Sequence, residues 1–190
     1  GQARAARPLA GKSALDVGCG AGLVCEPLAR WGAATTGVDA SAENVGVASA
    51  HAEGMGLAIR YLAGELARLD LGAFDLVTAF EVIEHVADKR AFVQALADRL
   101  KPGGLLVMST PNRTMASRLL LVEAAERVGY VPRGTHRWED FVTPEELADL
   151  LAGAGLELGP ARGIAWRPGN GLSLSESDLS LNYIFTATRG

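Results

Sequence analysis

One octapeptide, Leu15-Asp16-Val17-Gly18-Cys19-Gly20-Ala21-Gly22, constrains the fold of this 190-residue chain more than any other, because an apolar run stops there in three alternate glycines. A strand that ends in glycines and opens a helix lets bare backbone approach a bound nucleotide-like group, since no Cβ stands in the way. Asp39 closes the next apolar run. At about 20 residues on, it stands where an acidic side chain accepts hydrogen bonds from ribose hydroxyls. The two features support each other, one for the body of a ligand and one for its sugar.

Around this loop, apolar runs alternate with helical patterns, the signature of βαβ units and a mostly parallel sheet. Ser13 to Val17, Thr35 to Val38 and Ile59 to Leu62 read as the first three strands. Leu23 to Trp31 has helical spacing stopped by Gly32, and Ser41 is placed to cap a helix running to about Met55. Phe74 to Phe80 is a continuous apolar run after Asp75, as expected of a central strand buried on both faces. Lys89 to Leu100 sets Phe92, Val93, Leu96 and Leu100 on one helical face. Lys101-Pro102-Gly103-Gly104 breaks that helix, and Leu105 to Ser109 is a fifth strand. Thr143-Pro144-Glu145-Glu146 is a capping box with proline at the first position of a helix ending near Gly153. Leu156 to Leu158 and Leu181 to Thr188 complete an α/β fold. Its expected form is a seven-stranded sheet with helices on both faces, in a single domain over 1–190. Pro111 to Val142 interrupts the alternation, as an insertion where such folds need only a short connection.

Composition excludes several classes. Hydrophobic residues at 48% and charged residues at 21% do not suit a disordered chain. A net charge of -4 leaves no basic excess to neutralise phosphates, so nucleic acid is not an expected partner. Cys19 and Cys25 lie in one loop-helix segment, which does not suit a disulfide framework and points to a reducing, cytoplasmic setting. No apolar run approaches the roughly 18 residues of a membrane span, and the residues from Gly1 onward show no signal-peptide pattern.

The dinucleotide fingerprint G-x-G-x-x-G/A is not met, because Leu23 holds its final position and the third glycine falls one place early, at Gly22. Asp16 would repel a pyrophosphate, yet it suits the ammonium and sulfonium end of S-adenosylmethionine. The loop therefore reads as a methyl-donor site. Here the chain resembles the class I methyltransferases. Phe74-Asp75-Leu76-Val77 is similar to their fourth motif, and Leu100-Lys101-Pro102-Gly103-Gly104 to the turn after the following helix. The resemblance implies a Rossmann-like fold in which Asp16, Gly18, Cys19, Gly20 and Gly22 hold the methionine part of the cofactor. It places Asp39, with Ala40 beside it, at the ribose, Phe80 against the cofactor, and Gly64 and Glu65 near the adenine.

Phe80-Glu81-Val82-Ile83-Glu84-His85-Val86 follows the fourth strand, so its polar groups belong at the carboxyl end of the sheet. Two carboxylates and an imidazole, Glu81, Glu84 and His85, can hold a divalent ion such as Mg²⁺ or supply a general base for a phenol. Solvated charges with a capping histidine are the plainer alternative. Further along, Ser109-Thr110-Pro111-Asn112-Arg113-Thr114, Gly134-Thr135-His136, and Phe141 with Pro144-Glu145-Glu146-Leu147 resemble one family. So does the tail from Trp166 through Pro168 to Asp178, Asn182 and Tyr183. These stretches are similar to the ubiquinone-biosynthesis O-methyltransferases, which methylate ring hydroxyls of polyprenyl-phenol and demethylubiquinol intermediates. The resemblance implies S-adenosylmethionine as cofactor and a lipophilic polyprenyl-phenol or quinol as acceptor. It also implies Mg²⁺ binding by Glu81, Glu84 and His85, with Glu81 and His85 in the catalytic role of favouring the phenolate. Two departures stand out. Neither Arg4 nor Arg7 matches the family's N-terminal arginine that helps hold the cofactor. His136 is followed by Arg137-Trp138-Glu139 instead of an aspartate, which leaves its role open between catalysis and a capping or core role.

In the insertion at about 111–142, Met115, Leu119, Leu120, Val122 and Val128 give an apolar surface. Arg113, Arg118, Arg127, Arg133 and Arg137 surround it, against Glu123, Glu126 and Glu139. Such a segment can lie on an anionic bilayer, cover a lipophilic substrate, or pack as a lid on its own domain, and these are compatible. Peripheral contact with the inner face of the membrane and a place in a biosynthetic complex follow as expectations. A methyltransferase of another small acceptor and a non-catalytic scaffold are the competing readings. The intact Asp16, Gly18, Gly20 and Asp39 argue against the scaffold.

Overall fold

The computed structural model describes residues 7–124, 137–167 and 171–190. Arg4, Glu126, Arg127, Val128, Arg133, Gly134, Thr135, His136 and Pro168, singled out above, lie outside the described residues. The chain forms two compact units: Gly1–Ala79 with Ala95–Leu106 and Arg189–Gly190, and Phe80–Gln94 with Val107–Thr188.

In the first unit, β1 (Ser13–Val17), β2 (Ala34–Asp39), β3 (Ile59–Ala63) and β4 (Phe74–Phe80) alternate with α1 (Cys25–Arg30) and α2 (Ala42–Gly54). The strands run in the order β3-β2-β1-β4, continuing to the start of β5 (Leu100–Pro111). The pairs β1–β2, β2–β3 and β1–β4 are parallel. Strand order therefore reverses direction at β1, and ligands bind outside the carboxyl ends of strands at such a switch point. The helix expected from Leu23 begins only at Cys25, because Gly22 takes a left-handed φ of 89° and the turn must close first. Ser41 caps α2 as expected, its hydroxyl accepting from Asn44 N. Ala14, Leu28 and Ala33 form a buried cluster with Leu9, Val24 and Leu76 against it. At its amino end β1 is fastened by charge: Lys101 Nζ and the Ser13 N–H and hydroxyl all donate to Asp75 Oδ2.

β5 corrects the sequence reading. The Lys101-Pro102-Gly103-Gly104 signal does not sit outside the strand but inside it, directly after its first residue, Leu100. Gly103 takes φ 71°, and a Cβ on Gly104 would stand 2.8 Å from the Lys101 carbonyl oxygen, so the glycines allow the strand to start early.

In the second unit, β5 pairs with β9 (Asn182–Arg189), followed by β7 (Arg162–Arg167) and β8 (Gly171–Ser175), while β6 (Leu156–Leu158) pairs with β9. β7 is antiparallel to both β8 and β9. The β7–β8 hairpin is additional to the seven expected strands. Its arms are short and lack a sustained apolar run, and cross-strand pairing supplies what local pattern does not. The insertion opens with α3 (Lys89–Asp98) already behind it and forms α4 (Met115–Ser117), capped at Thr114, then a wide helical turn over Arg118–Ala124. α5 (Pro144–Gly153) has the expected reciprocal capping box between Thr143 and Glu146 and buries Leu147 and Leu151, one turn apart. No helix among the described residues is long and apolar enough to cross a membrane.

Thr143→Ala removes one side of that box. We expect a loss of about 1 kcal/mol in urea unfolding, and an unchanged midpoint would show that the cap contributes nothing.

Candidate active site

Three glycines form the loop after β1, and each needs its lack of a side chain. Gly18, Gly20 and Gly22 take φ of 72°, 51° and 89°, a region that costs an L-residue roughly 1 kcal/mol or more. The N–H groups of Gly18 and Cys19 both donate to Val38 O, at 2.8 and 3.0 Å, which pins the loop to the end of β2. Asp39 completes the tie: Oδ2 accepts from Gly20 N at 2.9 Å, and Oδ1 from Ser41 N at 2.9 Å and Asn44 Nδ2 at 3.2 Å. Gly64 N donates to Asp39 O at 2.8 Å, so the β3 end joins the same corner. Ala40 and Glu65 are exposed beside it, with Glu65 paired to Arg68. A Cβ built on Gly20 meets no atom within 4 Å, so backbone here is open to close approach by a ligand. The cradle fits an adenosyl cofactor.

Asp16 does something other than sequence position suggests. It is 2% exposed, with Oδ1 accepting the Thr78 hydroxyl at 2.6 Å and Oδ2 the Cys25 thiol at 3.4 Å. Its carboxylate is engaged within the unit by these two donors. Burial pushes its pKa up to about 6, against the opposing effect of those two donors. Cys19 and Cys25 are free and buried. The Cys25 thiol, hydrogen-bonded with Cys19 and shielded from water, is pushed well above the usual range and remains a neutral donor.

In the second unit, Phe80 is half-buried at the end of β4 and Glu81 follows it in a left-handed φ of 55°, alone among the described non-glycine residues. Strain of this kind persists only where surrounding contacts hold it. Here Glu81 N donates to Ser109 O at 3.0 Å, Ser109 Oγ to Glu81 Oε1 at 2.7 Å, and Asn182 Nδ2 to Oε2 at 2.8 Å. Solvent reaches part of the residue, but crowding of the carboxyl pushes its pKa up to about 7. The Glu84 charge adds to the rise, while the Ser109 bond and His85 oppose it. Glu84 is 5% exposed, Thr110 Oγ1 donates to its Oε2 at 2.9 Å, and its Oε1 is buried without a hydrogen-bond partner. Burial raises its pKa too. His85 closes a short 3₁₀ turn over Ile83–His85.

Glu81, Glu84 and His85 thus stand in one stretch, but among the described residues no three His, Cys, Asp or Glu side chains converge as a metal set. Protein donors reach both Glu81 oxygens and one of Glu84, while Glu84 Oε1 has none among the described residues. As they stand, the three side chains do not converge on a common Mg²⁺ position.

A family profile described as a methyltransferase domain matches residues 2–159. The ubiquinone biosynthesis O-methyltransferase of Methylobacterium sp. (strain 4-46) is 45% identical, over 96% of this chain and 74% of its own. That of Ruegeria pomeroyi is 46% identical, over 96% and 75%. This chain belongs to the ubiquinone biosynthesis O-methyltransferase family. Its members share their fold widely: magnesium protoporphyrin IX methyltransferase from Synechocystis PCC 6803, solved with S-adenosylhomocysteine, superposes with TM-score 0.71 at 23% identity. That alignment covers 96% of this chain and 76% of the other. A cyclase superposes at 0.70 with 19% identity, covering 95% and 76%, so the fold alone does not fix the reaction. Family membership decides for a methyltransferase using S-adenosylmethionine.

Ser109, Thr110 and Asn182, which the sequence marks only as part of the family resemblance, are hydrogen-bond partners of Glu81 and Glu84. Asn182 lies 101 positions from Glu81, and no local pattern links them.

The folded pKa of Asp16 lies above its ordinary value, so this group favours the fold at low pH and loses that contribution as pH rises through about 6. Asp16→Asn should therefore gain on the parent between about pH 4.5 and about pH 7.5, by about 3 kcal/mol at most. Urea unfolding at both pH values reads the change, and an identical gap at the two would refute the buried carboxylate.

Proposed function

We propose that this chain, acting as one methyltransferase domain, transfers a methyl group to a phenolic hydroxyl of a polyprenylated ubiquinone precursor. The observation that carries the reading is the 45% identity, over 96% of the chain, to a relative named ubiquinone biosynthesis O-methyltransferase. S-adenosylmethionine supplies an electrophilic methyl group and leaves as S-adenosylhomocysteine.

The chain's residues have two tasks. The first is alignment: the loop of Gly18 to Gly22, fixed to Asp39, holds the donor, and near-attack positioning can contribute up to about 7–11 kcal/mol. The second is the acceptor's proton. A free phenol has a pKa of about 10, so little phenolate exists at neutral pH. Glu81, with its pKa pushed up to about 7, is basic enough to take that proton as the oxygen–methyl bond forms. Ser109 and Asn182 aim it, and the neighbouring His85 assists. Glu81→Gln should lower kcat roughly 10²- to 10⁴-fold with S-adenosylmethionine affinity kept. The assay uses a short-tailed demethylated quinol, which should outpace a simple catechol, with Mg²⁺ and chelator as separate arms. Full activity of both Glu81→Gln and His85→Ala in every arm would end this assignment.

The described part of the insertion supports work at the cytoplasmic face of a membrane, with any biosynthetic complex assembled there. Met115, Leu119 and Leu120 are 61%, 53% and 54% exposed, beside Arg113 and Arg118. A polyprenyl tail stays in the bilayer while its ring is methylated, and a basic, apolar surface meets both needs. Leu119→Asp with Leu120→Asp should cut binding to anionic vesicles by at least about tenfold. Equal flotation of the two proteins would remove this part of the proposal.

A further inference from the structure

The register of the parallel strands sets four residues in a row: Tyr61 opposite Gly37, Gly37 opposite Asp16, and Asp16 opposite Thr78. Residues in register across parallel strands point to the same face of a sheet. On this face the row is polar and largely buried. Thr78 and Cys25 both donate to Asp16, as described above. Gly37 leaves the gap in the row, and two groups fill it. A Cβ there would stand 2.6 and 2.7 Å from Tyr61 Cδ1 and Cε1, and 2.8 Å from Cys25 Sγ.

The Tyr61 ring does not end in this gap. A Cβ on Gly22 would collide with the Tyr61 hydroxyl oxygen and stand 3.3 Å from Cζ. One side chain therefore spans from the middle of β2 to the last glycine of the cofactor loop. By geometry its hydroxyl is buried without a hydrogen-bond partner among the described residues. Such an arrangement is unfavourable, and filling the space over Gly37 does not require it, since a phenyl ring fills that space as well. What the hydroxyl adds is contact with Gly22, at φ 89°.

We propose that Tyr61 is a positioning residue for S-adenosylmethionine: its ring occupies the space left by Gly37, and its hydroxyl end supports Gly22 from beneath, so that the loop keeps its binding shape. The inference rests on the reading that this loop holds the cofactor. Tyr61 acts through the loop, and the effect belongs to cofactor affinity rather than to the chemical step.

Tyr61→Phe is the discriminating variant, because it keeps the ring and removes a buried, unpaired hydroxyl. Its Tm should equal or exceed the parent's, while the S-adenosylmethionine Kd by calorimetry rises roughly three- to thirtyfold. At saturating cofactor, kcat and the acceptor KM should match the parent's. Tyr61→Leu should weaken binding further. A parental Kd for Tyr61→Phe overturns the proposal, and so does a weaker Kd accompanied by a lowered Tm, which would mean general loosening. Asp39→Ala is the control for the underlying reading. If it loses cofactor binding while Tyr61→Phe does not, only the role of Tyr61 fails. If Asp39→Ala also binds like the parent, the assignment of the loop fails, and this inference with it.

Discussion

A hydrogen bond from the Gly20 N–H to the Asp39 carboxylate holds the end of β1 to the end of β2, and the rest of the glycine loop depends on it. Three left-handed glycines have no preferred direction of their own; backbone freedom makes the loop possible and also leaves it undetermined. A charge-assisted bond, worth about 1.5–3 kcal/mol when made by a charged group, selects one path. The same carboxylate accepts from Ser41 N and Asn44, so the start of α2 is set by the group that sets the loop. Two bonds to Val38 O repeat the constraint from the backbone.

Carboxylates in this chain take contrasting roles because their surroundings differ. Asp75, held by Lys101 and by Ser13 at the foot of β1, is kept far below the usual carboxylate range and serves as a fastener. Asp16 has only a hydroxyl and a thiol as partners and no cation, so burial dominates and its pKa rises. Glu81 also rises, but it is reached by solvent and held in a strained backbone by two donors from distant strands. A carboxylate that is accessible, oriented and more basic than usual suits proton transfer. One that is sealed in, as Asp16 is, suits structure.

Much of this was legible in the chain itself. Glycines at 18, 20 and 22, the acid at 39, the apolar run of β4 and the capping box at Thr143 are local signals, each decided by residues within a few positions. The family resemblance rested on similar short stretches, and the relatives agree with it. Where reading failed, the cause was non-local. The β7–β8 hairpin owes its strands to pairing, β8 with β7 and β7 with β9. The Glu-x-x-Glu-His spacing likewise does not show that Ser109, Thr110 and Asn182 donate to Glu81 and Glu84.

Sequence by itself determined that the chain is an α/β methyltransferase with a glycine loop after the first strand, because backbone conformation and hydrophobic period are short-range properties. Only the tertiary structure decided which way each acid faces. Asp16 turns inward because strand register sets it beside Thr78 and Gly37, and Tyr61 reaches Gly22 because β2 offers no side chain in between. Orientation and burial belong to pairs of residues far apart in the chain, and no single stretch contains both members of such a pair.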